Sequence, residues 1–163
     1  MLFGIALTFV VSLLYYRVLG FEFLNYDDVP YIVINPFVNT GLTRDNLIYA
    51  FSHFHLGNWY PITWFSHMLD VTLFGLNPTG HHLTNLLLHI VNVWLILFFF
   101  RILGFKFHLC AIMATLFAVH PMHVESVAWI AERKNLLSTT FILLALISYT
   151  RYTQTGKMSK MIW

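Results

Sequence analysis

The chain has 163 residues, of which 58% are hydrophobic and only 10% charged, and its mean hydropathy is +0.70. That composition lies outside the range of soluble domains and reads as a membrane protein. A net charge of +2 with no lysine- or arginine-rich cluster excludes a nucleic-acid partner, and a single cysteine, Cys110, cannot close an intrachain disulfide.

The first apolar segment, about residues 1–16, lacks a basic leader and an A-x-A cleavage site, so it reads as a first span rather than a removable signal. A long loop follows, about residues 20–80. Within it Thr43, Arg44, Asp45 and Asn46 have the pattern of a capped helix start, with apolar residues at helical spacing behind them. Pro61, after Trp59 and Tyr60, opens a second helix through Trp64, Phe65, Met68 and Leu69. Both helices are amphipathic and rich in aromatic rings, as in helices that lie along a membrane surface. Asn77-Pro78-Thr79-Gly80 is a turn signal.

Three more spans are expected. Residues 83–102 open with eighteen uncharged residues, Leu83 to Phe100, against the roughly 20 needed to cross about 30 Å of hydrocarbon. Residues 109–128 would cross as a helix broken at His120-Pro121, and residues 134–150 would form the fourth span. The expectation is an all-α membrane protein with about four transmembrane helices and a long extracytoplasmic first loop. Arg101, Lys106, Arg151, Lys157 and Lys160 then share one side, which the positive-inside rule makes cytoplasmic, while all seven acids fall on the other.

Several residues could carry chemistry. His82, Asn85, His89 and Asn92 recur at steps of 3, 4 and 3, which sets them on one face of the second span. Such a stripe is either hydrogen-bonding glue between helices or the wall of a cavity. His81 and His82 with His120, His123 and Glu125 have the donor types of a zinc or manganese site, but H-x-x-H across a proline is weak as a metal pattern and no metal is assigned. In HPMHVESVAWIAERKN, a helix starting after His123 would turn Glu125, Trp129 and either Glu132 or Arg133 toward one space. Arg133 and Lys134 at a span entrance either anchor the interface or bind an anion such as a lipid phosphate. The pair Asp27-Asp28 at the outer end of the first span is a solvated loop pair, a helix cap near Pro30, or a general base whose pKa its neighbour raises.

Four stretches in order, NYDD, NWYPITWFSHMLD, FGLNPTGHHLTNLLLH and HPMHVESVAWIAERKNLLS, resemble the membrane part of the transmembrane and tetratricopeptide-repeat-containing proteins and their prokaryotic relatives, over about residues 21–152. The resemblance implies a partial GT-C fold, that of membrane glycosyltransferases related to protein O-mannosyltransferases. It further implies transfer of a sugar from a polyprenyl-phosphate donor to an acceptor hydroxyl, a protein Ser or Thr, on the periplasmic or luminal side of a bacterial inner membrane or endoplasmic reticulum. Asp27 and Asp28 would then supply the base. Arg133, with Lys134, would face the donor phosphate; His120, His123 and Glu125 would support the second loop; Tyr60 and Trp64 could stack on sugars. No cofactor beyond the donor lipid is implied.

The family continues into further spans and 34-residue helical repeats, whereas this chain stops at Trp163, so an N-terminal fragment in one membrane domain is expected. Two other classes stay open: a non-catalytic membrane scaffold or inactive fragment, and a metal or ion transporter built on the histidines.

Overall fold

The computed structural model of the protein describes residues 2–155, so Lys157 and Lys160 of the basic side and the terminus at Trp163 lie outside the described residues. The described residues form helices and turns without a strand. The order is α1 (Leu2–Tyr15, extended by a 3-10 turn Tyr16–Gly20), a π-turn Val29–Val33, α2 (Arg44–Ser52), α3 (Pro61–Phe74), α4 (Pro78–Ile102), α5 (Phe107–Val119), α6 (His123–Ala128), a 3-10 turn Ile130–Glu132 and α7 (Arg133–Thr155).

Local chemistry sets most of these boundaries. The Thr43 hydroxyl accepts from the Asn46 amide at 3.2 Å, satisfying a donor at the start of α2. Pro61 and Pro78 open α3 and α4, where a missing N–H costs nothing. Asn77 caps α4 through the Thr79 amide at 3.1 Å. Gly75 leaves α3 with φ +64°, and the chain reverses there into α4.

α4 is the axis of the molecule: α1, α3, α5, α6 and α7 all pack on it. Its polarity is inverted. His81, His82, Asn85, His89 and Asn92 are buried, while Leu83, Leu87, Val91, Trp94 and Phe98 face outward. A helix that turns its apolar residues out and its polar ones in is solvated by lipid, where unpaired polar groups must find protein partners. Leu2–Gly20 (19 residues) and α4 (25 residues) are long and apolar enough to cross a membrane. Together with that inverted polarity, they make this an integral membrane protein.

The four expected spans are not all reproduced. The second begins at Pro78 rather than at 83, because the polar turn containing His81 and His82 is helical and buried against protein instead of lying in the loop. The segment over 109–128 is broken at His120-Pro121, as expected from its sequence. α5 has 13 residues, about 20 Å at 1.5 Å per residue, which falls short of a ~30 Å core. It ends because His120 precedes Pro121 and takes an extended conformation (φ −66°, ψ 129°). α7 has 23 residues, enough length for the fourth span, but threonines, serines and Arg151 make it less apolar than α1 or α4.

Two apolar cores result. One joins the long helices through Leu7, Val11, Val93, Ala114, Ala118 and Leu136. The other lies under the first loop, where Tyr31, Ile32, Trp64 and Met68 meet Ile130 and Ala131. α1 is held on α4 by close approach: a Cβ at Gly4 would run into the Trp94 ring, and the Trp94 indole donates to Thr8 Oγ1 at 2.9 Å. Gly4→Val should therefore lower stability in detergent by about 1–3 kcal/mol through overpacking. Gly20→Ala, which meets nothing within 4 Å, serves as the control and should stay within about 0.5 kcal/mol of the parent in a thermal unfolding series.

Candidate functional site

The first loop folds back onto the second through one carboxylate. Asp28 is only 1% exposed; its Oδ1 accepts from the Ala131 amide at 2.7 Å and its Oδ2 from the Leu24 amide at 2.9 Å. Both oxygens are thus spent on backbone donors, one of them 103 residues away in sequence. Burial raises the Asp28 pKa above its ordinary 3.8; the two amides oppose that rise and the neighbouring Asp27 charge adds to it. Asp27 itself is partly exposed. The structure therefore divides the doubled aspartate: Asp28 ties two loops together, and Asp27 presents the accessible carboxylate.

Around this tie stand aromatic rings. Tyr26 and Trp129 lie 6.0 Å apart between centroids, and Tyr31 packs edge-on against Trp64 at 5.2 Å while its hydroxyl accepts from Asn58. Trp64 is 3% exposed, so its ring is spent on the loop core and cannot stack on a ligand as the structure stands. Tyr60 is partly exposed and lines an open groove of about 390 Å³ with Trp59, Thr63, Lys134, Ser138 and Phe141. Lys134 reaches over the Tyr60 ring at 5.9 Å and donates to Glu132 at 2.5 Å.

Arg133 is not at a surface. Its side chain is fully buried, Nε donates to Asn85 Oδ1 (2.7 Å), Nη1 to Ser66 Oγ (3.0 Å) and Nη2 to the His81 carbonyl (2.9 Å), and Nη2 lies 2.6 Å from Asp70 Oδ2. Its guanidinium is engaged by α3 and α4 through all three nitrogens and is fully buried, leaving it to position the start of α7 rather than to meet a phosphate directly. Asp70 and Ser66, with His67 beside them, were not picked out by sequence reasoning. The signal was S-H-x-x-D inside an apolar helix, the sole acid of α3. Burial, with Arg133 and His81 adding repulsion, pushes the His67 pKa well below the usual imidazole value, so that ring is neutral.

Three residues of the α4 stripe, Asn85, His89 and Asn92, act as hydrogen-bonding glue, while the His82 ring nitrogens have no hydrogen-bond partner. Asn85 Nδ2 donates to the Trp129 carbonyl (3.2 Å), a His89 ring nitrogen lies 3.1 Å from the Ala118 carbonyl, and Asn92 donates to the Leu136 carbonyl (2.9 Å) while accepting from Thr140. His82 is buried edge-on against Phe21. The five-residue metal set considered from sequence does not converge. His81 lies near Phe23 and His67, whereas His123 lies near Phe117, His89 and His120. His120 and Glu125 are exposed, and Glu125 borders a recess of about 360 Å³ with Glu22 and Trp129.

The chain shares extended sequence similarity with known proteins. The chain is 35% identical over 153 residues to protein O-mannosyl-transferase TMTC1 of Mus musculus, covering 88% of this chain and 16% of that protein. It is 36% identical over 154 residues to a protein O-mannosyl-transferase of Caenorhabditis elegans (84% and 21%), and 32% identical over 133 residues to protein O-mannosyl-transferase TMTC2 of Homo sapiens (82% and 15%). By homology the chain is similar to a fragment of the TMTC proteins. It spans about a fifth or less of these TMTC relatives. No family model matches the chain, and no solved structure matches it.

Because Asn offers one acceptor where two amides need partners, Asp28→Asn should cost about 1–3 kcal/mol. The raised pKa fixes the sign of the pH dependence. The folded chain holds the Asp28 proton more tightly than the unfolded one, so this group's contribution to stability falls as pH rises from the ordinary value of 3.8 through the elevated folded value. Subtracting the Asp28→Asn unfolding curve from the wild-type curve across that range should expose this slope; a flat difference would count against the burial.

Proposed function

We propose that this chain forms the base-bearing part of a membrane glycosyltransferase of the mannosyltransferase type, which moves a sugar from a polyprenyl-phosphate donor to a protein Ser or Thr hydroxyl outside the cytoplasm. The observation that carries this reading is homology over more than four-fifths of the chain to proteins named protein O-mannosyl-transferases.

The division of the aspartate pair gives each residue a part. Asp27, accessible beside the Asp28 tie, takes the proton from the acceptor hydroxyl while that oxygen bonds to the anomeric carbon. The bond from that carbon to the phosphate oxygen breaks, and the lipid phosphate leaves with the electron pair. General-base assistance of this kind is worth about 10²–10⁴ in rate. Lys134, with one N–H on Glu132 and others free, is the cation facing the groove between Tyr60 and Phe141, and the leaving phosphate is placed there. Arg133 acts one step back: by clamping α7 to α3 and α4 it fixes where Lys134 sits. His120, His123 and Glu125 sit at the α5–α6 corner and shape the second loop.

The test is transfer of label from polyprenyl-phosphate mannose by the complete protein in membranes. Asp27→Asn should lower the rate by about 10²–10⁴ with membrane insertion unchanged, and Lys134→Ala should raise the donor KM more than it lowers kcat. Full activity in Asp27→Asn would remove the base assignment. If wild type and both variants alike transfer nothing, the scaffold reading takes over, to which the buried Arg133 and Asp28 are equally suited.

A further inference from the structure

Behind the loop, His67 and Asp70 on α3 and His81 on α4 turn toward one another in a site closed to solvent. All three are buried to 2% exposure or less, and one donor atom from each lies within 4.8 Å of the other two. This is the sole such group among the described residues.

The hydrogen bonds around it leave lone pairs unanswered. His81 Nε2 is 3.2 Å from the Gly75 carbonyl, which can only accept, so the ring proton sits on Nε2. Nδ1 of His81 then presents a lone pair to Asp70 Oδ2, 3.4 Å away. Nδ1 of His67 is also buried without a hydrogen-bond partner. Buried ring nitrogens left without a hydrogen-bond partner are costly. A second proton on His81 would answer one of them and leave His67 bare.

We propose that His67, Asp70 and His81 bind a divalent transition cation, zinc in the first instance, which staples α3 to α4. Two imidazoles and a carboxylate are a donor set zinc accepts. The surroundings match what such ligands ordinarily have. The imidazole's other N–H is held by a backbone carbonyl, here that of Gly75, and the ligand carboxylate is itself hydrogen-bonded, here by the Thr84 hydroxyl at 2.8 Å and beside it Arg133. Tetrahedral zinc bonds of about 2.0–2.1 Å set ligand atoms roughly 3.3 Å apart, so the histidine side chains close inward on binding. Arg133 repels the ion, and the coordinate bonds offset that.

The experiment uses the full chain purified in detergent, loaded with zinc and dialysed, with metal content measured by mass spectrometry and Co²⁺ substitution followed by visible absorption. About one zinc per chain and tetrahedral Co²⁺ bands are expected, both lost in His67→Ala and in the closer-sized His67→Gln, and both kept in His123→Ala. Zinc should raise the unfolding midpoint of the wild type and leave that of His67→Gln unmoved. Wild-type protein with a helical circular dichroism spectrum and neither bound zinc nor Co²⁺ bands would overturn the proposal, whatever the variants do. Zinc held equally by His67→Gln and wild type would mean adventitious binding and overturn it as well.

Discussion

A single buried guanidinium organises the interior. Arg133 reaches Asp70 and Ser66 on α3 and Asn85 and the His81 carbonyl on α4, while its own backbone begins α7. In a dry interior such a charge is tolerated only while every partner is in place, and losing one partner of a buried pair typically costs about 3–5 kcal/mol. Three helices are therefore fixed relative to one another by a group with almost no freedom. The loop core of Tyr31, Ile32, Trp64 and Met68 can form where it does because α3 is already pinned to α4.

Below this point the molecule is joined in a different way. His89 and Asn92 make hydrogen bonds to the backbone carbonyls of Ala118 in α5 and Leu136 in α7. Each is worth about 0.6 kcal/mol, at most roughly 2, in a membrane. Close approach supplies the rest, as where Gly4 admits the Trp94 ring. The architecture thus grades from a rigid, charged knot at one end of α4 to weaker and more distributed contacts along its length. Asp27 and Lys134, to which the proposal above gives the base and the phosphate contact, each adjoin a residue held at this end, Asp28 and Arg133.

Much of this was legible in the sequence, and what was not has a physical reason. The stripe His82, Asn85, His89, Asn92 is periodic, so its burial on one face followed from helical geometry alone. The starts of α2 and α3 were legible because threonine and proline act locally, whereas Asn77-Pro78, read as a turn, also opens α4. The Arg133 pair with Asp70 was not: 63 positions separate the two residues, and no local rule relates them. Arg133 at a span entrance looks the same in sequence whether it faces lipid phosphate or protein, and the deciding fact is the carboxylate on α3. The adjacent aspartates read as one unit, yet their opposite burial depends on amides contributed by Leu24 and Ala131. The break at His120-Pro121 was legible because a proline acts on the residue before it.

The bond between Asp28 and the Ala131 amide also imposes a schedule on biosynthesis. At roughly 5–20 residues per second, the ribosome needs about 5–20 s to advance from residue 28 to residue 131, and in that interval α4 and α5 must be inserted. Through all of it the first loop has left the ribosome with its carboxylate unanswered and its aromatic residues exposed. The nascent chain thus carries an unpaired carboxylate and exposed aromatic rings before their partners exist, and a quality-control factor that senses exposed tryptophan and tyrosine has a defined window in which to hold it.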